Sequence, residues 1–546
     1  MKKFFVTASI VLLIAIAIRL FGFGLEMAED EQIWAISSVA PHGFQFSVIP
    51  HPPLAVFLYS IAGLFGNWRL LRSVPMLFFI GIFLITVLFA RKRYGDEAAI
   101  VSGIILSISA WSILASVQID MDGSIIALLG LASTFLFLEG LEKKSIKWLI
   151  AAGVVCGVGF LAKISFILFP LSFILYSMYL ITIEKLPLKK LYKTAYVYIS
   201  AAIVFGSYFI FTFIMGTNQL LLTESNASNY FTGFLSQNWI NVVSILAQAI
   251  VLISPLLIGL FILSLLKRDK RDTMFLVIIS VHAFFYLFVM TASYRPFERY
   301  WMPLIPFLAM LGGKTIVSYG IKKECKFVSF GVFAFVICAI LLTKFANPSL
   351  YPLFPKDPYI FRMLTLDWNF LFPFHGASGP LGFFVPFWFI AFGFLAAAVI
   401  LVVWLKKRTK AALVAFLILG VGYNVFISEE MLFSLSTPNV NSAARQVNTF
   451  IENENLSGTI FSYQATGYFK LKQQGKSPHL FFAVQYNNEN IAKNLTKQPS
   501  AVVMVDFPSA TKDSVMWKQL SSCTVVQKYE DKSYTHGYIF NCGSQS

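Results

Sequence analysis

Apolar runs of about 18–24 residues recur down the whole chain, and no other feature constrains its fold as strongly. A run of that length matches the hydrocarbon core of a bilayer. Inside lipid, backbone polar groups must be satisfied within the segment, which selects helices. The runs fall at about 4–24, 70–90, 97–115, 123–141, 148–162, 165–183, 194–215, 243–266, 273–292, 300–318, 327–345, 383–404 and 411–428. They predict an α-helical polytopic membrane protein with about thirteen transmembrane helices. Composition agrees: of 546 residues, 57% are hydrophobic and only 13% charged, where soluble domains carry about a quarter charged. That excludes an ordinary soluble enzyme. The 57 phenylalanines and the absence of a short repeat exclude disordered and fibrous classes. Lys2 and Lys3 followed by a full-length apolar run, with no small-residue cleavage site, read as an uncleaved first helix.

The charges test this reading. Lys and Arg total 43 against 27 Asp and Glu. The basic residues gather in every second loop: Lys2 and Lys3; Arg91 to Arg93; Lys143, Lys144 and Lys147; Lys185, Lys189, Lys190 and Lys193; Lys267 to Arg271; Lys322, Lys323 and Lys326; and Lys406 to Lys410. The positive-inside rule makes that side cytoplasmic, so the excess charge reports topology and not nucleic-acid binding. It places the protein in the plasma (inner) membrane as a multi-pass chain with a cytoplasmic N-terminus. The other side carries long, thinly charged loops at about 25–69, 216–242 and 346–382.

From Glu429 the pattern changes. Residues 429–546 hold ten Lys and Arg against nine Asp and Glu, with short alternating stretches at Ser457–Tyr463, Ala501–Asp506 and Cys523–Lys528 and a helical pattern at Ser442–Glu452. The division expected is a membrane domain at 1–428 and a small α/β domain at 429–546. An odd number of spans sets the second domain on the outer, extracytoplasmic face. There Cys523 and Cys542 either close a hairpin by disulfide or remain two free thiols. Cys156, Cys325 and Cys338 lie in or beside spans and read as packing residues.

The outer loops hold the residues with chemical potential. The first has Glu26, Glu29, Asp30 and Glu31 directly after the first helix. Crowded carboxylates at a membrane surface suit a bound cation or a general base. Alternatively, Glu29, Asp30 and Glu31 only stabilise a helix N-terminus. A second pair, Asp120 and Asp122, enters the fourth span on the same side, where the plain reading is a cap followed by a first-turn acid. His51 stands among Pro50, Pro52 and Pro53, and Arg72 opens the second span. Lys163 lies among apolar residues and therefore calls for an anionic partner. Arg295 and Arg299 stand at the outer interface just ahead of the tenth span, where snorkelling to headgroups is the simple alternative. No nucleotide-binding or metalloprotease fingerprint occurs.

Taken together, the order of these motifs resembles the GT-C superfamily of integral membrane glycosyltransferases. The nearest branch is that of dolichyl-phosphate-mannose–protein mannosyltransferases and the lipid A aminoarabinose transferase. The residues that carry the resemblance are Asp30-Glu31 followed by Gln32-Ile33-Trp34-Ala35; His51-Pro52-Pro53-Leu54; and Arg72. Asp122 with Ile125, Leu161-Ala162-Lys163, and Tyr300-Trp301-Met302-Pro303-Leu304-Ile305-Pro306 complete the set. Asp122 fits the second-loop position better than Asp120, though the doublet leaves that choice open. The resemblance covers the first 320 residues in motifs and the remainder in layout.

The resemblance implies a polyprenyl-phosphate-linked sugar as donor, taken from the membrane lipids, and a hydroxyl of a lipid, glycan or protein acceptor on the outer face. Asp30, with Glu31 beside it, would be catalytic, Asp30 accepting the acceptor's proton with inversion at the sugar. The leaving lipid phosphate would meet His51, Arg72, Lys163, Arg295, Arg299 and Tyr300, or a divalent metal held by Asp122 or Asp120. A nucleotide cofactor is not required. The competing expectations are a transporter or flippase for a lipid-linked or anionic substrate, and a scaffold that displays the C-terminal domain. Against the first, the ionisable residues cluster in loops and no inverted repeat is found.

Overall fold

The computed structural model describes residues 2–41, 43–45, 52–187, 191–214, 239–290, 298–320, 325–350, 357–374, 379–380, 382–481, 500–506, 520–531 and 535–542. Among these residues, ten helices are long and apolar enough to cross a membrane, or eleven if one bent pair forms a single span. The chain is a helical membrane protein. The long helices are α1 (Lys2–Leu20), α4 (Ser73–Tyr94), α7 (Ala127–Glu142), α9 (Leu168–Thr182) and α10 (Ala195–Ile214). They continue with α12 (Thr273–Phe284), α13 (Ile305–Ser318), α14 (Cys325–Ala346), α16 (Phe387–Lys407) and α17 (Lys410–Leu432). Several gain a turn of 3-10 or π helix at one end.

Three of the thirteen expected spans depart from straight, full-length helices. The 97–115 run is two helices, α5 (Asp96–Ile108) and α6 (Ala110–Val117), bent by 65° at Ser109. The 148–162 run is a short helix, α8 (Ile146–Phe160). The 243–266 run is α11 (Trp239–Leu266), broken at Ser254, whose φ is 74°, ahead of Pro255. A fourth run was expected to begin as helix at 383. Residues 383–386 instead form strand β2 (Phe383–Pro386), paired antiparallel with β1 (Leu371–Phe374), and the helix starts only after Pro386. Proline supplies no backbone N–H and is tolerated at a helix start.

The breaks leave backbone groups that lipid cannot satisfy, and two buried polar side chains take them up. Arg19 donates to the carbonyls of Ser107 at 3.1 Å and Leu106 at 3.5 Å, and to Ser112 Oγ at 3.2 Å. Its guanidinium lies 3.7 Å from the Phe79 ring centre. From the other side, Asn424 Oδ1 accepts the N–H of Ala110 at 3.1 Å, and its Nδ2 donates to Ser254 Oγ at 3.0 Å. One amide thus bridges both broken helices.

Charge marks the two ends of the bundle. At the end that holds the basic loops, Lys92 pairs with Glu142 at 2.7 Å and with Glu139, and Arg93 pairs with Glu142 at 3.0 Å. Tyr94 donates to Asp272 at 2.8 Å, and Lys314 pairs with the same carboxylate. The 22 residues of α4 separate this network from Arg72 by about 33 Å. Between the ends lies the main apolar core.

At the Arg72 end, the loop read as 25–69 contains two helices, α2 (Glu29–Ser38) and α3 (Pro53–Gly63), and α15 (Asp357–Leu364) lies in the later loop. The last apolar helix runs to Leu432, past the expected end at 428. Buried Glu430 caps the turn beyond it, accepting from the backbone N–H groups of Ser436 and Thr437, both at 3.1 Å. The chain then forms a five-stranded sheet in the order β4-β3-β5-β7-β6. Its strands are β3 (Ile460–Tyr463), β4 (His479–Phe481), β5 (Ala501–Asp506), β6 (Thr524–Asp531) and β7 (Thr535–Asn541). Strands β4, β3 and β5 are parallel, and β5, β7 and β6 antiparallel. Helix α18 (Val440–Asn453) packs on the sheet, and α19 (Tyr468–Gln473) follows β3. Cys523 and Cys542 form a disulfide at the base of the β6–β7 hairpin, with 4.5 Å between their Cα atoms. Cys156 is buried as expected of a packing residue, whereas Cys338 is exposed on its helix.

The β1–β2 hairpin ties the two parts together. Alternation along its strands puts Leu371 and Phe384 into the apolar cluster of α18 and the sheet. Phe383 and Val385 turn instead toward Phe389 and Tyr423 of the bundle.

Candidate active site

The site is assembled around a clamp. Arg72, fully buried, grips Glu31 with both terminal nitrogens, at 2.8 and 2.9 Å. The same guanidinium donates to the carbonyls of Leu25, at 3.0 Å, and Val117. Glu31 Oε1 also accepts the N–H of Ile119 at 2.7 Å. Two planar groups therefore fix the entry to α2, the start of α4 and the segment after α6. Gly379, at φ 82°, lies so close to Glu31 that an added Cβ would stand 2.3 Å from its carboxyl carbon.

With Glu31 locked, Asp30 beside it meets a second group of charges. Arg299 Nη1 reaches Asp30 Oδ2 at 2.8 Å and also Asp120 Oδ2, while its Nε lies 3.4 Å from Asp122 Oδ2. Lys163 Nζ stands 2.8 Å from each oxygen of Asp122, and 3.9 Å above the Tyr300 ring. Asp120 and Asp122 are buried with Arg299, and Lys163 is largely so, but the Asp30 side chain keeps 26% of its surface. Of the three carboxylates it is the one open to a substrate.

The local backbone explains the convergence. Asp120 Oδ1 accepts the N–H of Asp122 at 3.0 Å, and its carbonyl accepts from Tyr59 and Ser124 hydroxyls, both at 2.7 Å. The chain then makes one turn of π helix at Asp122–Ile126, an irregularity that is frequent at functional sites. Position 123 must be glycine, because a Cβ there would meet Ala115 Cβ at 2.5 Å and Met302 Sδ at 2.7 Å. Lys163 sits in an extended link between α8 and a 3-10 turn at Ile164–Ile167, and Arg299 in another at Glu298–Leu304.

Burial raises the Asp30 carboxyl above the usual carboxylate range; the neighbouring Arg299 opposes the shift and Asp120 adds to it. Glu29 is pushed up to about 7, first by burial and then by the charge of Asp30. Two carboxyls whose affinity for protons is raised thus begin α2.

Of the residues singled out in the sequence, Asp30, Asp120, Asp122, Lys163, Arg299 and Tyr300 come together. The anionic partner called for by Lys163 is Asp122. Glu31 and Arg72 pair with each other and form the clamp, so Arg72 is already occupied and fully buried. His51 and Arg295 lie outside the described residues. Sequence reasoning missed Tyr59, whose signal was a single phenol on an otherwise apolar helix face, and passed over Gln32, which it had seen only as part of a motif.

A divalent metal on Asp122 does not fit this arrangement, because both of its oxygens face Lys163 Nζ. Among the described residues, no group of three or more His, Cys, Asp or Glu side chains could hold a metal ion.

Comparison with known proteins adds two findings. The sequence profile of the dolichyl-phosphate-mannose-protein mannosyltransferase family matches residues 50–223. No sequence among curated proteins matches. Among solved structures, the chain is similar to ArnT from Cupriavidus metallidurans bound to undecaprenyl phosphate, at 14% identity and a TM-score of 0.57, over 100% of this chain and 98% of that one. It is similar also to the apo state of that protein, at 15% identity and 0.54, over 98% of each chain. The oligosaccharyltransferase of Archaeoglobus fulgidus matches at 12% identity and 0.46, over 91% of this chain and 69% of that one. The fold is that of ArnT, and the matched profile belongs to one of the branches named in the resemblance.

Proposed function

We propose that this chain is an integral membrane glycosyltransferase that moves a sugar from a polyprenyl-phosphate-linked donor to a hydroxyl of a lipid, glycan or protein acceptor. The observation that carries the reading is the partly open Asp30 beside two cations, the buried Arg299 and the largely buried Lys163, supplied by different elements. A base and cations within reach of one another are what displacement of a phosphate from a sugar carbon requires. ArnT of Cupriavidus metallidurans binds undecaprenyl phosphate, which supports a donor of the same class here.

In the proposed step, the acceptor oxygen attacks the anomeric carbon and gives its proton to Asp30. The bond from that carbon to the phosphate oxygen breaks, with inversion, and the polyprenyl phosphate leaves with the electron pair. Lys163 and Arg299 meet the charge that grows on the phosphate. Asp120 and Asp122 hold those cations in place and balance them while the site is empty of substrate. Glu31 acts through Arg72 as a positioning residue for α2. The basic end of the bundle faces the cytoplasm, and the Asp30 end and the C-terminal sheet face outward. Chain segments 1–428 and 429–546 serve as the membrane and the extracytoplasmic parts.

The test is transfer of labelled sugar from a panel of polyprenyl-phosphate sugars by purified protein with native lipid extract. Asp30→Asn is expected to lower turnover by roughly 10²–10⁴-fold, the usual worth of a positioned base. EDTA is expected to leave turnover unchanged. Donor consumption in Asp30→Asn equal to wild type would sink the mechanism. A wild type that consumed no donor yet moved intact lipid between leaflets would favour the transporter.

A further inference from the structure

The C-terminal sheet is joined to the bundle at a telling place. Gln32 lies on α2 two residues beyond Asp30 and is 4% exposed. Both ends of its amide bond to the backbone that follows β3: Oε1 accepts the N–H of Phe469 at 2.6 Å, and Nε2 donates to the carbonyl of Ala465. Phe469 itself is buried in the main core of the bundle. Just ahead of α2, the N–H of Glu26 donates to Asn441 Oδ1 at 2.9 Å, and Glu26 Oε2 accepts from Asn448 Nδ2 at 2.9 Å. Arg445 Nη2 donates to the carbonyl of Gly24, also at 2.9 Å.

The turn that receives Gln32 is held firmly. Gln464 and Ala465 have φ of 51° and 55°, a left-handed conformation that L residues seldom adopt, and Gly467 follows at 67°. Thr466 fixes the turn to the sheet: its N–H donates to the Tyr463 carbonyl at 2.8 Å, its hydroxyl accepts the N–H of Val505 at 3.2 Å, and its carbonyl accepts from Ser462 Oγ at 2.8 Å. The carbonyl of Ala465 and the N–H of Phe469 are thereby presented at a set spacing to one side chain.

We propose that the turn at 463–469 is a positioning element of the active site, and that Gln32 is the positioning residue through which the C-terminal sheet sets the placement of Asp30. The inference rests on the function proposed above. The polar contacts named here converge on residues 24–32, the segment that delivers Asp30, whereas attachment alone would be served by any part of the bundle surface. Glu31 and Arg72 hold the same helix from the membrane side, so Asp30 is fixed between two clamps. Each clamp is centred on a buried planar side chain, Arg72 in one and Gln32 in the other, and a small displacement of a reacting group is enough to slow a positioned reaction.

The test uses full-length protein in lipid nanodiscs with a polyprenyl-phosphate sugar, read by steady-state kinetics and by hydrogen exchange. Gln32→Met keeps the shape and removes the bonds to Ala465 and Phe469, together with a longer one, 3.4 Å, from Nε2 to the Met27 carbonyl. It is expected to lower kcat by roughly 10²-fold, as for a misplaced catalytic group, with KM for the donor unchanged and faster exchange in residues 29–38. Exchange in β5 should stay as in wild type. Gln32→Glu keeps the acceptor toward Phe469 and should recover part of kcat. Lys528→Ala, on β6, should change nothing. Wild-type kcat and wild-type exchange of α2 in Gln32→Met would overturn the proposal. So would loss of protection across β5, which would make Gln32 a structural residue only. If wild-type protein transfers no sugar, the functional reading fails, and exchange of α2 still decides whether the sheet holds this helix.

Discussion

At the scale of single residues, the site is governed by which carboxylate stays open. Asp120 and Asp122 are spent on Arg299 and Lys163, whereas Asp30 shares Arg299 and keeps a free edge. Burial raises its pKa, which makes it a stronger base and sets the sign of the pH response. The base works only when deprotonated, so kcat/KM should rise with pH, along a limb whose midpoint lies above the ordinary carboxylate range. Arg299 opposes that shift, and Arg299→Met should therefore move the limb to still higher pH. A midpoint at or below the value of a solvated Asp, measured over pH 4–9, would exclude Asp30 as the titrating base. The residue types of the site were legible in the sequence, since charges in otherwise apolar outer loops stand out. Their partners were not. Glu31 and Arg72 lie 41 positions apart, and Asp30 and Arg299 lie 269 apart; periodicity carries no information over such distances.

At the scale of elements, the irregular helices matter more than the regular ones. The break at Ser109 turns α6 so that the segment behind it carries Asp120 and Asp122 to the site. Asn424 satisfies the N–H at that break and the hydroxyl at the break in α11. Asn424→Leu leaves both without their partner, and it should cost about 1–3 kcal/mol for each buried group left unpaired. Thermal unfolding in detergent would show it; an unchanged melting temperature would mean that neither bond matters. Hydropathy located these runs correctly but read them as straight spans. It reports the polarity of a window, and a bend of one residue in an apolar stretch leaves that average unchanged. The same blindness turned β2 into the start of a span: Phe383, Phe384 and Val385 are as apolar as any helix, and only pairing with β1 decides their conformation.

For the whole molecule, the C-terminal sheet is both a stapled unit and part of the site. The disulfide of Cys523 and Cys542 closes a loop of 19 residues, and its removal should destabilise the sheet by roughly 3 kcal/mol. Cys523→Ser with Cys542→Ser should unfold the sheet earlier in a melt followed by hydrogen exchange, with the basic-end network unaffected. Simultaneous loss of both would show one cooperative unit. What the sequence determined by itself was the solvent of each segment: which runs lie in lipid, which end is basic, which tail is polar, and that charged residues among apolar loops have a task. Those are local properties, fixed by transfer free energies of side chains and the need of a backbone in lipid to bond to itself. Only the tertiary structure decided which charges meet, where spans break, and that the polar tail grips the helix bearing Asp30. Such contacts join residues hundreds of positions apart, and their energy depends on packing geometry that no stretch of sequence contains.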